Sequence, residues 1–281
     1  MPIYDQGYRR YEARAPLRKA RFWPITREAL RLVLLRRWFL VLLTFPLGVF
    51  LWYVGRIYLA TQIPEFGRIL PADGRLFGEF LNVEIVFTIL LSIFGASGLV
   101  ATDLRTGAIL AYLSRPLTRR DYVLGKLLVP LFLNLAVTLV PGLLLYGVGL
   151  SLAPALFLKW ELAWIGPAIV AHAFSISLVV SLLTLAISSL SRSTRVAGLG
   201  LFGMIAGLEM MRLILQFAFR QKYAMLLSVQ ADLRAIGVAL FGLTDRNLAV
   251  AWGWAALVLA LLSLVCLAVL RSRVRAVEIV T

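Results

Sequence analysis

Six long apolar runs, at 38–60, 80–102, 127–150, 163–190, 196–216 and 248–270, alternate with shorter polar and basic stretches. As helices rising 1.5 Å per residue, runs of about 20 residues cover a hydrocarbon core of about 30 Å. None of the runs alternates with a period of two, which argues against the strands of a membrane barrel. Helices are the other way to satisfy every backbone hydrogen bond in lipid. The pattern therefore predicts an all-α polytopic membrane protein with six transmembrane helices. Three shorter elements lie between or before the runs. Residues 24–37 predict a helix with Pro24 in its first turn; Ile25, Ala29, Leu32 and Val33 share one side, and Arg27, Glu28 and Arg31 share another. Such a helix suits the headgroup layer of a membrane, with an unstructured basic flag as the alternative. Residues 217–247 are too charged to span, through Arg220, Lys222, Asp232 and Arg234, and too apolar for a solvated loop. They predict short re-entrant helices on the outer side before the last span, against the plainer reading of a surface loop. Residues 108–113 form an apolar stretch too short to cross a bilayer. The organisation is thus a 1–37 cytoplasmic arm with an interfacial helix, followed by a 38–281 six-helix membrane domain. That domain contains a loop at 103–126 and a cytoplasmic tail at 271–281.

Composition agrees with the pattern. Hydrophobic residues make up 61% of the 281, charged residues 15%, and the mean hydropathy is +0.88, outside the range of soluble domains. The net charge of +15 would suit nucleic acid, but its distribution argues otherwise. Of 29 Lys and Arg residues, 20 fall in the N-terminal arm, the 103–126 loop, the 191–195 turn and the C-terminal tail. Positive loops stay in the cytoplasm, so both termini are expected on the cytoplasmic side of a cell (inner or plasma) membrane. More than thirty polar and basic residues precede the first run, which is expected to act as an uncleaved anchor rather than a signal peptide.

Candidate chemistry is sparse. A single cysteine, Cys266, and a single histidine, His172, lie inside apolar runs, which leaves no intrachain disulfide and no Cys/His metal cluster. His172 is expected to hydrogen-bond to a neighbouring helix. No GxxxxGK[ST] loop is present; Gly125-Lys126 lacks its flanking residues, so nucleotide is not expected to bind by that motif. HExxH and GxSxG are also missing, and no catalytic set is recognisable. Charges within spans are costly and informative. Glu84 lies near the outer end of the second run beside Asn82, Arg56 near the outer end of the first can snorkel, and Glu209 and Arg212 are three apart on the fifth and share a face. Glu84, Glu209 and Arg212 are candidates for a polar pathway or outer gate, or else for interhelical pairing that fixes the bundle. Ser177, Ser181, Thr184 and Ser188 line one face of the fourth run, and Gly200, Gly203 and Gly207 one face of the fifth. Both read as helix-contact surfaces in lipid, or alternatively as the lining of a conduit.

The 103–126 loop carries the strongest signal. Gly107-Ala108-Ile109, Leu113-Ser114-Arg115-Pro116, Thr118-Arg119-Arg120 and Val123-Leu124-Gly125-Lys126 resemble the permease subunits of ABC-2 type ATP-binding-cassette transporters over about 24 residues. Asp103 stands where that family has Glu, and Ala108 where it has Thr; the shorter acid has Arg105 or a partner residue as candidate ion-pair partners. The resemblance implies that this segment is a coupling helix docking into a separate ATPase subunit. In it Gly107 would permit a sharp reversal, and Ile109, Leu110, Tyr112 and Leu113 would offer an apolar knob. Pro116 would end the helix, Ser114 would belong to the same coupling stretch, and Arg115, Arg119 and Arg120 would supply a basic rim. It also implies that ATP and Mg are held by the partner chain, with no cofactor on this one, and that a second permease copy completes the assembly. The expected function is a non-enzymatic permease subunit of an ATP-driven exporter embedded in lipid, with no role for nucleic acid. The alternative is a self-sufficient secondary transporter or channel using intramembrane Glu residues.

Overall fold

The computed structural model describes residues 22–108, 118–157, 160–220, 222–243 and 251–273. Ten helices organise them: α1 (Trp23–Leu34), α2 (Arg37–Gln62), α3 (Pro64–Ile69), α4 (Gly74–Leu91), α5 (Leu99–Thr106), α6 (Arg119–Leu152), α7 (Ile165–Leu190), α8 (Thr194–Ala218), α9 (Val229–Leu240) and α10 (Trp252–Arg273). A π-helical segment at Ser92–Ala96, four-residue helices at Pro154–Phe157 and Trp160–Ala163 and a 3₁₀ segment at Lys222–Leu227 complete the element order. No strand occurs among the described residues. Six helical stretches are long and apolar enough to cross a membrane: Phe39–Gln62, Gly74–Thr106, Arg119–Leu152, Ile165–Leu190, Thr194–Ala218 and Trp252–Arg273. They match the six apolar runs, the second and third beginning six and eight residues earlier than their runs.

α7 is the central post. It packs against α6, α10, α4, α8, α5 and α9, and its Ile169, Ile176, Val180 and Leu185 are buried. Apolar attraction alone holds helices together weakly in lipid, so polar side chains and close backbone approach matter more. The Ser face of α7 supplies the polar part. Ser177 Oγ lies 3.3 Å from Thr138 Oγ1, and Ser181 Oγ accepts from the Asn134 side-chain amide at 3.2 Å, both on α6. Asn134 also reaches Ser92 Oγ at 3.2 Å. Ser188 Oγ accepts from the backbone N–H groups of Val100 and Ala101 at 3.1 and 3.0 Å.

This seam explains an irregularity in the second span. Between α4 and α5 the chain widens into a π-helical segment, Ser92–Ala96, closed by Ser97 N–H donating to Ser92 O at 2.9 Å. Such an insertion leaves the first N–H groups of the following helix without carbonyl partners. Ser188 satisfies two of them, and Ser92 at the start of the bulge is tied to Asn134. Small residues in the bulge and just after it then admit close neighbours: a Cβ on Gly95 would meet the Phe39 ring at 2.7 Å, and one on Gly98, the residue before α5, would meet Thr194 at 2.7 Å.

α1 rests on α6 rather than on lipid alone. Ile25, Thr26, Ala29 and Val33 are buried, and Thr26 Oγ1 donates to the Gly125 carbonyl at 2.8 Å. Leu32, expected on the same apolar side, is 56% exposed. Gly125 permits the contact, since a Cβ there would lie 3.1 Å from that of Ile25. Two sequence expectations are corrected. Arg56 does not simply extend toward water; it pairs with Glu79 at 2.6 Å, on the helix packed beside it. His172 is fully buried but neither ring nitrogen has a hydrogen-bond partner among the described residues; its ring fills the space beside Gly237 and meets Phe241 edge-on. The missing Cβ at Gly237 lets α9 approach so closely that the imidazole is packed as an apolar ring.

Because Ser188 is the side-chain partner of two buried N–H groups, Ser188→Ala should destabilise the fold by about 1–3 kcal/mol. Thermal unfolding of the purified chain should show a clear fall in Tm. Ser175→Ala, which removes only a bond to the carbonyl of Ala171 in its own helix, should leave Tm nearly unchanged. Equal shifts would refute the capping role.

Candidate functional site

The candidate site forms where the second and third spans end. α5 closes at Gly107, whose φ of 69° is the left-handed conformation that favours glycine. The chain returns at Thr118, whose hydroxyl accepts from Asp121 N–H at 3.2 Å. In return, Asp121 Oδ2 accepts from Thr118 N–H at 3.0 Å. This reciprocal box starts α6 on the residue before Arg119. Both ends of the intervening segment are therefore fixed by local sequence.

The two ends are also fixed to one another. Tyr122 and Lys126 are one turn apart on α6 and face the same way. Lys126 Nζ lies 2.7 Å from Asp103 Oδ2, and Tyr122 Oη donates to the same oxygen at 2.8 Å. Asp103, Tyr122 and Lys126 are all buried, and the ammonium also lies 5.9 Å from the centre of the Tyr122 ring. Asp103 therefore pairs with Lys126, not with Arg105, which is exposed. The signal in the sequence was an acid at the end of one span and a Tyr/Lys pair at helical spacing at the start of the next. In water such a pair contributes little, but when buried each member becomes costly without the other.

Of the residues expected to form the coupling element, Gly107, Arg119 and Arg120 are described, and all three are exposed. Ile109, Leu110, Tyr112, Leu113, Ser114, Arg115 and Pro116 lie outside the described residues.

The intramembrane charges form two separate groups. Glu209 and Arg212 pair in bidentate fashion, with N–O distances of 2.5–3.1 Å, and Arg212 also donates to Gln216 Oε1 at 2.6 Å. Ser228 Oγ donates to Glu209, which ties α8 to the start of α9. This pair lines an open cavity of about 320 Å³ between α4, α8 and α9, together with Asn82, Gln216, Gln230 and Arg234. Glu84 stands apart from it. It is 0% exposed, and neither carboxylate oxygen has a hydrogen-bond partner among the described residues. The Ser face of α7 is fully committed to packing. A Cβ added to Gly203 or Gly207 on α8 would meet no neighbouring element within 4 Å among the described residues, so both positions face away from the bundle.

In α9, Asp232 is buried and its Oδ1 lacks a partner among the described residues. Burial pushes its carboxyl up from 3.8 to about 7. No protein-family model matches this chain, and no curated protein matches it.

Two measurements follow from these contacts. Lys126→Met strands a buried carboxylate and should cost about 3–5 kcal/mol, whereas Asp103→Asn/Lys126→Met should recover most of that loss. A double-mutant cycle by thermal unfolding reads the coupling; simple additivity would deny the clamp. For Asp232 the folded pKa exceeds the unfolded one, so the folded state holds more protons between the two. Its contribution is present below pH 3.8 and lost as pH rises toward and through about 7. Asp232→Asn should remove that component of the fall in Tm across this window and stabilise the chain at about pH 8, above both pKa values; an unchanged pH profile would refute it.

Proposed function

We propose that this chain is the membrane-spanning permease subunit of an ATP-driven transporter of the ABC-2 type, working as an exporter and coupled to a separate ATPase subunit through residues 103–126. The observation that carries the reading is the clamp at the base of that segment. A loop that receives force from a docked partner needs both of its stems anchored to the bundle and to each other. Gly107, the Thr118–Asp121 box and the Asp103–Lys126 pair meet that need at the positions where the resemblance puts a coupling helix. Arg119 and Arg120 at the mouth are exposed cations suited to an acidic partner surface. The orientation follows from charge: the basic arm, the loop and the tail face the cytoplasm, and α9 lies on the outer side as a re-entrant cap. The outward face of α8 at Gly203 and Gly207 leaves room for the second permease copy. The cavity at Glu209 and Arg212 then lies in the outer half of the bundle, as a polar gate would.

Affinity purification of the full chain from its native membranes should bring with it a separate polypeptide that hydrolyses ATP. Leu113→Asp, or deletion of 108–115, should reduce that association and remove any dependence of hydrolysis on transport. Retained assembly with unchanged hydrolysis would end the coupling assignment. A second reading is favoured by the buried Glu84, whose carboxylate has no hydrogen-bond partner among the described residues: a secondary transporter or channel in which Glu84 and Glu209 exchange ions or protons. In that case the purified chain alone in liposomes drives flux from a gradient, without ATP.

A further inference from the structure

The first turn of α2 carries a feature that neither coupling nor the polar cavity uses. Arg36 and Arg37 sit at the mouth of an apolar groove of about 780 Å³, otherwise lined by Phe39, Val41, Leu42, Phe45 and Phe94. That volume falls within the range of about 300–1,000 Å³ typical of ligand sites. Phe39 forms the floor at 3% exposed, while Phe94 and Phe45 stand at its sides at 63% and 57%. Arg37, Val41 and Phe45 are successive turns of one stripe, so the groove runs from a pair of cations about 12 Å along an apolar face. Neither guanidinium has a hydrogen bond or ion pair among the described residues.

We infer that this groove binds one anionic diacyl phospholipid, its phosphate held by Arg36 and Arg37 and an acyl chain laid along Phe39, Leu42 and Phe45 against Phe94. Charge complementarity selects this occupant. Two cations mark the polar boundary of the span, and everything deeper is hydrocarbon. A soluble anion would leave the apolar groove unfilled, and a neutral lipid would leave the cations unpaired. The local sequence offers them no internal anion either. The first turn of α2 contains no acidic residue and no side-chain cap, so the positive end of the helix dipole adds to the guanidinium charge. The π-helical segment builds the far wall: by turning Gly95 inward onto Phe39, it leaves Phe94 directed outward. The site lies in the leaflet bounded by the basic end of the bundle, which is the cytoplasmic leaflet in the orientation proposed above. It does not depend on the transporter assignment.

Native mass spectrometry of the detergent-solubilised full chain provides the test. Titration with phosphatidylglycerol should give a saturable single adduct, and phosphatidylcholine of the same acyl length should bind far more weakly. Each interfacial Arg contributes roughly fivefold, so R36Q/R37Q should weaken phosphatidylglycerol retention about thirtyfold. Leu42→Trp, which fills the groove and keeps both cations, should weaken it as well. R27Q/R31Q removes the same charge from exposed positions on α1 outside the groove lining and should weaken retention far less. Equal binding of the two lipids would overturn the proposal, as would equal losses in the two Arg double variants, which would mark bulk charge attraction. Glycerol 3-phosphate competing as well as the lipid would also overturn it, by showing that the groove plays no part.

Discussion

Satisfaction of the backbone at one break in the second span organises much of this bundle. A π-helical insertion costs the helix its regular ladder, and within an apolar interior no water replaces the lost bonds. Ser188 answers from the central helix by accepting from Val100 and Ala101, and Asn134 answers from α6 through Ser92. The three helices are thereby held at one level by a hydroxyl and an amide aimed at the break. From that level the geometry follows in both directions. Below it, Gly95 meets Phe39 and Phe94 turns outward. Beyond it, α5 starts at the angle that delivers Asp103 to Tyr122 and Lys126.

Much of this was legible in the chain, and the reasons are specific. The six spans follow from runs of apolar residues that only helices tolerate in lipid. The Ser face of α7 was legible as a packing surface because its i, i+4, i+7, i+11 spacing selects one side. Gly107 marked a reversal because a left-handed residue closes α5. The Asp103–Lys126 pair was missed because its members are 23 positions apart and each had a nearer or more familiar reading. Asp103 had Arg105 beside it, and Lys126 belonged to a Gly-Lys ending. Arg56 and Glu79 escaped for the same reason: pairing between spans depends on rotational setting, which periodicity within one span does not specify. The π-helical segment has no signal in hydropathy, since Ser92–Ala96 reads as an ordinary continuation of the apolar run. A histidine in an apolar run ordinarily seeks a hydrogen bond, and the absence of a Cβ at Gly237 decided otherwise for His172.

The two charge pairs near the polar cavity and the clamp differ in kind. Glu209 and Arg212 lie on one helix with part of each side chain still accessible, so their union neither fixes two spans nor confines a charge fully. Asp103 and Lys126 lie on different helices and are buried, so each enforces the position of the other. Only the second arrangement makes relative movement of two spans expensive. Glu84 resembles neither, since its carboxylate has no counter-charge among the described residues to hold it.

These distinctions bear on how a force at the 107–118 segment would travel in the proposed assembly. Its stems, α5 and α6, are joined by the Asp103 clamp, so they respond as one unit rather than sliding apart. α6 carries α1 with it through Thr26 and Gly125, and α5 is tied to α7 through the Ser188 hydroxyl. The stiff path therefore runs from the segment into α6 and α1 and, through Ser188, into α7, whereas the path along the second span into α4 passes through the irregular turn at Ser92–Ala96. The groove beside α2 thus borders, through Phe94, the one irregular element that separates the loop's stem α5 from α4.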